Sequence, residues 1–153
     1  MNLKEKLEKF SKSGNIAQID WDVKVEDWKT SVENFYEKIQ DWLTDYIKDG
    51  HIKTEKSEIT LFEEDTGNYA ISKVELLFAD KCAVFEPVGA DVIGAEGRID
   101  FYLRGEKGKK YMLILTKDND NKDQWLLIDW LNEWDEVKFD KSMLEGILDK
   151  WLT

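Results

Sequence analysis

The stretch VELLFADKCAVF, residues 74–85, decides how this chain folds. Two apolar, strand-like runs flank the break Ala79, Asp80 and Lys81, which has the length of a hairpin turn. Strands joined by so short a turn pair antiparallel, because a parallel pair needs a crossover of a dozen or more residues. The stretch therefore predicts an antiparallel hairpin in the middle of the chain.

Strand-like runs continue on both sides of this hairpin. The predicted strands cover residues 52–62, 69–79, 81–87, 98–104, 109–116 and 124–130. The break GEKG at 105–108 is again of hairpin length, and no long helical crossover separates any pair of runs. The pattern predicts a meander of five or six strands and disfavours a parallel, nucleotide-binding sheet.

Helical spacing precedes the strands. From Val25 to Tyr46 the apolar residues recur at intervals of three and four, which places them on one face of a helix. The residues before them, 19–25, alternate apolar and polar as a strand does. Lys48 and Gly50 supply a helix stop, and a short amphipathic helix is predicted over residues 2–12.

A last helix closes the chain. Asp140 is a predicted N-cap, and Met143, Leu144, Ile147, Leu148 and Trp151 share one side of the following helix. Gly146 lies inside this helix at a cost of about 1 kcal/mol relative to alanine, which suggests close helix approach there. We therefore predict one α+β domain over residues 1–153, with N-terminal helices and the C-terminal helix packed on one face of an antiparallel sheet.

Charge and composition narrow the classes of partner. The net charge of −11 disfavours direct binding to nucleic acid or anionic lipid, and a basic protein partner fits it better. No apolar run reaches the roughly 18 residues that span a bilayer, and the N-terminus lacks the apolar core of a signal peptide. A single cysteine suggests a reducing compartment, so the sequence predicts a cytoplasmic protein without membrane contact.

Catalytic and metal-binding motifs are missing from the sequence. It contains no G-x-S-x-G, H-E-x-x-H or C-x-x-C pattern. Cys82 reads as a small core residue, and the acidic run at residues 63–65 reads as a solvated turn. The acidic loop 118–129 departs from a calcium loop at its sixth position. We expect no cofactor and no metal, and a non-enzyme is favoured.

The stretch EPVGADVIGAEGRID, residues 86–100, is the most pointed feature of the chain. Its glycines match no phosphate-binding motif, so a wide strand connection with Pro87 ending a strand and glycines at positive φ or in a bulge is favoured. Arg98 is expected to pair with Asp100 or to neutralise Glu86 across the sheet. The candidate binding residues in this stretch are Glu86, Asp91, Val92, Ile93, Glu96, Arg98 and Asp100.

A resemblance rests on the same stretch. Together with VELLFADKCAVF before it and DQWLLID and FDKSMLEGILDKWL after it, the stretch resembles an uncharacterised family of bacterial proteins. The resemblance extends over most of the chain and implies a bacterial, cytoplasmic origin. It implies no activity, ligand or catalytic residue.

The sequence leaves three hypotheses about function. The first is a non-enzymatic protein that binds another protein through an acidic, aromatic surface, because seven tryptophans, Trp130 among them, accompany the negative charge. The second is a small-ligand site or an unfamiliar enzyme built on residues 86–100. The third is an acidic mimic of nucleic acid. The protein is expected to be a monomer or a homodimer.

Overall fold

In the described part of the chain, seven strands form a single antiparallel sheet whose order, β1 to β7, follows the sequence. The computed structural model describes residues 2–5, 20–92, 95–129 and 132–153. The strands are β1 (Ile52–Glu63), β2 (Gly67–Phe78), β3 (Lys81–Gly89), β4 (Gly97–Leu103), β5 (Tyr111–Lys117), β6 (Asp123–Asp129) and β7 (Asn132–Lys138). The helices are α1 (Trp21–Trp42), α2 (Thr44–Lys48) and α3 (Lys141–Leu152). The α+β class, the meander and the terminal helix are confirmed.

The seventh strand corrects the prediction of five or six. Residues 132–138 pair antiparallel with β6, with Val137 opposite Leu127 and Glu136 opposite Ile128. An edge strand has one ladder and one neighbour, so it tolerates charges that would not fit a central strand. The acidic composition of this segment therefore hid its strand character.

Helix α1 begins earlier than the sequence pattern indicated. The Asp20 side chain accepts hydrogen bonds from the backbone N–H groups of Asp22 and Val23, which fixes the first turn at Trp21. The prediction of strand-like structure for the residues after Asp20 is therefore wrong. The hydrogen bonds of the N-cap favour a helix more than the short apolar and polar alternation favours a strand. The remaining residues of that reading, and residues 6–12 of the predicted N-terminal helix, lie outside the described part of the chain.

The helices bury one face of the sheet. Phe35 of α1 lies at the centre of this core, with its ring 4.6 Å from that of Trp125 and 5.7 Å from that of Phe85. Phe85 stacks in parallel on Phe101 at 4.1 Å. Such ring pairs stabilise the core beyond their buried area. The predicted apolar stripe of α1 is thus a core stripe.

The C-terminal helix closes the same core. Asp140 accepts a hydrogen bond from the N–H of Met143, as its predicted N-cap role requires, and Leu144, Ile147 and Leu148 are buried. Gly146 differs from the expectation, because a Cβ at that position would meet no atom within 4 Å. Close helix approach is therefore not the reason for this glycine.

The opposite face of the sheet carries a smaller cluster. Cys82, Val84 and Tyr102 are buried there, with Leu77 packed against them. Glu75 shields them: its carboxylate accepts from the Cys82 thiol at 3.2 Å and pairs with Arg104. Burial raises the pKa of the Cys82 thiol, in keeping with its predicted role as a small core residue. We call this face the outer face.

No helix in the described ranges is long and apolar enough to cross a membrane.

Candidate functional site

The described residues of the stretch 86–100 cover the end of β3, a bulge and the start of β4. The register shifts between Pro87 and Gly89, so the predicted bulge is present, although Pro87 lies inside β3 and does not end it. Neither Gly89 nor Gly97 has a positive φ. Both instead leave room for another side chain, the Glu63 carboxylate at Gly89 and the Trp28 ring at Gly97. Of the two alternatives predicted for these glycines, positive φ or a bulge, the bulge is the one present, and Gly89 lies at it.

Arg98 forms the predicted ion pair with Asp100. Arg98 Nε lies 2.8 Å from Asp100 Oδ1, and Lys110 Nζ lies 3.7 Å from Asp100 Oδ2. The Asp100 side chain is 6% exposed, so these two cations compensate a nearly buried carboxylate.

Glu86 does not pair with Arg98. Its carboxylate accepts from the Tyr102 hydroxyl at 3.1 Å and lies 2.8 Å from Lys107 Nζ. Burial by itself would raise the pKa of Glu86, but these two hydrogen bonds outweigh it and hold the pKa below its ordinary value. Burial and the same hydrogen bond raise the pKa of Tyr102 to about 12.

The Glu86 pair predicts a specific acid response. A carboxylate whose pKa is lowered by folding stabilises the protein above its unfolded value, near 4.5, and loses that effect as the pH falls through the folded value. For this partly exposed pair the contribution at pH 7 is on the order of 0.5 kcal/mol. We expect Glu86→Gln to narrow the difference in unfolding free energy between pH 7 and pH 3, measured by urea denaturation. Exposed Glu106→Gln is the control, and equal pH responses in both variants would contradict the assignment.

The other predicted residues are dispersed. Asp91 is exposed beside Asp65, and a hydrogen bond with that carboxyl raises the pKa of Asp91. Val92 is half-buried and forms an isolated bridge with Ala95. Glu96 lines a cavity of about 300 Å³ with Trp28 and Lys117, away from the Glu86 pair. Ile93 and Trp130 lie outside the described residues.

From the sequence, Glu63 was not identified as a residue that connects distant segments of the chain. Its carboxylate accepts hydrogen bonds from the Thr66 and Tyr69 hydroxyls and from the backbone N–H groups of Ala90 and Asp91. The predicted solvated turn at residues 63–65 is therefore wrong for its first member. Four donors converge on one carboxylate and fasten the β1–β2 hairpin to the β3–β4 connection.

An apolar concavity lies elsewhere, between α2, α3 and the start of β1. It has a volume of about 440 Å³. Its floor consists of the buried side chains of Leu43, Ile52, Phe78 and Leu148. Its rim consists of Tyr46, His51, Ala79, Glu145, Asp149 and Leu152. We call this feature the groove.

Local backbone features open the groove. The helix is interrupted at Leu43, and α2 then turns the chain toward Gly50 and β1. The β2–β3 turn brings Ala79 to the same end of the sheet, where it adopts a positive φ of 51°. The last two turns of α3 form the opposite wall. Four separate segments therefore leave one apolar hollow between them.

The groove carries negative charge at its rim. The Tyr46 hydroxyl donates a hydrogen bond to Glu145, which joins α2 to α3 and raises the pKa of Tyr46. Asp149 is exposed one turn further along α3. Tyr46 is 37% and Leu152 54% exposed, so apolar surface is accessible between these acids. The described residues include no group of three or more His, Cys, Asp or Glu side chains that could hold a metal.

Tryptophan exposure bears on the predicted aromatic surface. Trp28 and Trp125 are buried in the core, and Trp21, Trp42 and Trp151 are half-buried. Among the described side chains, Tyr46 and not a tryptophan supplies the exposed aromatic surface at the groove.

Comparison with known proteins adds no assignment. No family model matches the chain, and neither a curated protein nor a solved structure is significantly similar to it. The resemblance to an uncharacterised bacterial family remains a prediction.

Proposed function

We propose that this protein binds a partner protein and that the groove receives a segment bearing an apolar side chain beside a basic one. The observation that carries the proposal is the combination of a buried aliphatic and aromatic floor with two carboxylates at the rim. Apolar pockets with a few placed polar groups are the usual form of binding sites.

The size of the groove suits side chains of a partner. About 440 Å³ lies within the roughly 300–1,000 Å³ typical of ligand pockets. One large aliphatic or aromatic residue in such a pocket, surrounded by less important contacts, is the usual arrangement of an interface hot spot.

Charge defines the partner further. Glu145 and Asp149 belong to a chain of net charge −11, so the field at the rim attracts lysine and arginine and repels acidic segments. The carboxylates of residues 86–100 contribute less to this proposal, because Glu86 and Asp100 are already paired with cations.

A designed peptide tests the proposal. The probe is a 14-residue helix of leucine and lysine with leucine on one face; a second peptide replaces every lysine by glutamate, and a third replaces every leucine by glutamine. We expect the first peptide alone to bind, by isothermal titration calorimetry. Glu145→Gln combined with Asp149→Asn should weaken its binding about tenfold, or about 1.4 kcal/mol.

A matched double variant controls for net charge. Glu106→Gln with Asp120→Asn removes the same two charges from exposed positions away from the groove. We expect this variant to bind as the wild type does, within about twofold. Equal weakening in both double variants, or equal binding of the lysine and glutamate peptides, would contradict recognition by the groove.

A further inference from the structure

The outer face contains two adjacent rows of side chains that run across the sheet. Register pairs define the first row, which is Asp100 on β4, Met112 on β5, Ile128 on β6 and Glu136 on β7. They define the second row in the same way, as Arg98, Ile114, Leu126 and Lys138. Register partners in a sheet share a face, so each row lies on one surface.

The two rows have the same pattern with opposite charge. Each has two aliphatic side chains in the middle, and all four of these are half-buried. The first row begins and ends with a carboxylate, and the second begins and ends with a cation. The two rows are therefore chemical complements of each other.

The described helices leave this face uncovered. Leu113, Leu115 and Leu127 point toward α1 and α3 in the main core, so their neighbours along β5 and β6 point away from those helices. The buried cluster on the outer face contains only strand residues. An apolar centre of four half-buried side chains, with exposed Glu136 and Lys138 at one end, thus lies across four neighbouring strands.

We propose that the outer face binds the outer face of a second copy of this chain. The two-fold axis lies between the sheets and perpendicular to the strands, and it exchanges the two rows. Met112 then lies over Ile114 of the second copy, and Ile128 lies over its Leu126. Each interface of this kind is isologous, so every contact occurs twice.

Charge complementarity selects this arrangement. With the rows exchanged, Glu136 faces Lys138 of the second copy at one end, while Asp100 at the other end keeps its ion pairs with Arg98 and Lys110 of its own chain. An axis parallel to the strands would instead place Lys138 over Arg98 of the second copy. Like charges directly opposite each other are destabilising, so the perpendicular axis is the one that the charges permit.

The interface is small, and the net negative charge of each chain opposes its formation. Four strands spaced about 4.8 Å apart give a contact about 20 Å wide and two rows of side chains long, which buries less area than a standard specific interface does. Two chains of net charge −11 also repel each other over a distance that salt shortens. The dimer should therefore be weak. This proposal does not depend on the groove.

A charge exchange tests the proposal by sedimentation equilibrium of the full chain. We expect a monomer–dimer equilibrium for the wild type, with dimerisation weakened about tenfold by Glu136→Lys and by Lys138→Glu alone. The variant carrying both substitutions keeps the net charge and should recover the wild-type equilibrium. Glu136→Lys lowers the overall repulsion, so a weaker dimer in that variant cannot be a net-charge effect.

An apolar substitution provides the second readout. Ile114→Lys should abolish dimerisation, whereas Phe62→Lys, at a side chain 76% exposed on edge strand β1, should not change it. Circular dichroism of each variant reports whether it is folded. A wild-type chain that stays monomeric up to about 1 mM, or a dimer that the charge exchange does not affect, would overturn the proposal.

Discussion

Replacing Gly97 by alanine should destabilise the protein by about 3 kcal/mol. A Cβ at position 97 would overlap Cε3 and Cζ3 of Trp28 and lie 2.9 Å from its Cη2. Trp28 is 1% exposed, and its ring is 6.1 Å from that of Trp125, so it has little space to move away. Overpacking of this kind strains both helix α1 and the start of β4.

Urea denaturation at pH 7 measures this effect, with Gly146→Ala as the matched control. The same methyl group at 146 meets open space inside a helix, so that variant should be as stable as the wild type or about 1 kcal/mol more stable. If Gly97→Ala is tolerated without loss, the close contact between β4 and Trp28 is not as we describe it.

Replacing Glu63 by alanine should cost about 3 kcal/mol. The substitution leaves the N–H groups of Ala90 and Asp91 and the hydroxyl of Tyr69 without their acceptor. Tyr69 is largely buried, so water compensates its hydroxyl poorly. Hydrogen bonds to a charged group are also stronger than those between neutral groups, which enlarges the loss.

Two further variants separate this contribution from a general surface effect. Glu63→Gln keeps an acceptor oxygen, so its loss of unfolding free energy should be about half of that caused by Glu63→Ala. Glu64→Ala removes an exposed neighbouring carboxylate and should change the unfolding free energy by no more than about 0.5 kcal/mol. Similar losses at positions 63 and 64 would refute the assigned role of Glu63 as the fastening residue.

Local rules predicted most of the fold. Hairpin-length breaks fixed the antiparallel order, and the spacing of Val25, Trp28 and Phe35 identified the buried face of α1. The Asp140 cap and the Arg98–Asp100 ion pair were also predictable from the sequence, since their partners lie two or three residues away. Contacts within one helix or strand can be predicted because the periodicity of that element determines which side chains share a face.

Contacts between distant segments escaped prediction. The Glu63 carboxylate reaches donors at residues 90 and 91, and no local pattern links residues so far apart. The groove combines the Leu43 helix interruption with the β2–β3 turn and the end of α3. Tyr46 was predicted as an ordinary member of an apolar stripe, and Leu152 was not among the residues named for the buried side of the last helix. Their exposure follows only from where the two helices end relative to each other.

Amide chemical-shift mapping of the ¹⁵N-labelled protein shows whether the groove is the recognition surface. The titrant is the leucine–lysine peptide. We expect the largest shifts at residues 43–52, 78–79 and 145–152, with little change on β5 and β6. Shifts confined to the outer face or spread evenly over exposed acids, or no shifts at all, would contradict it.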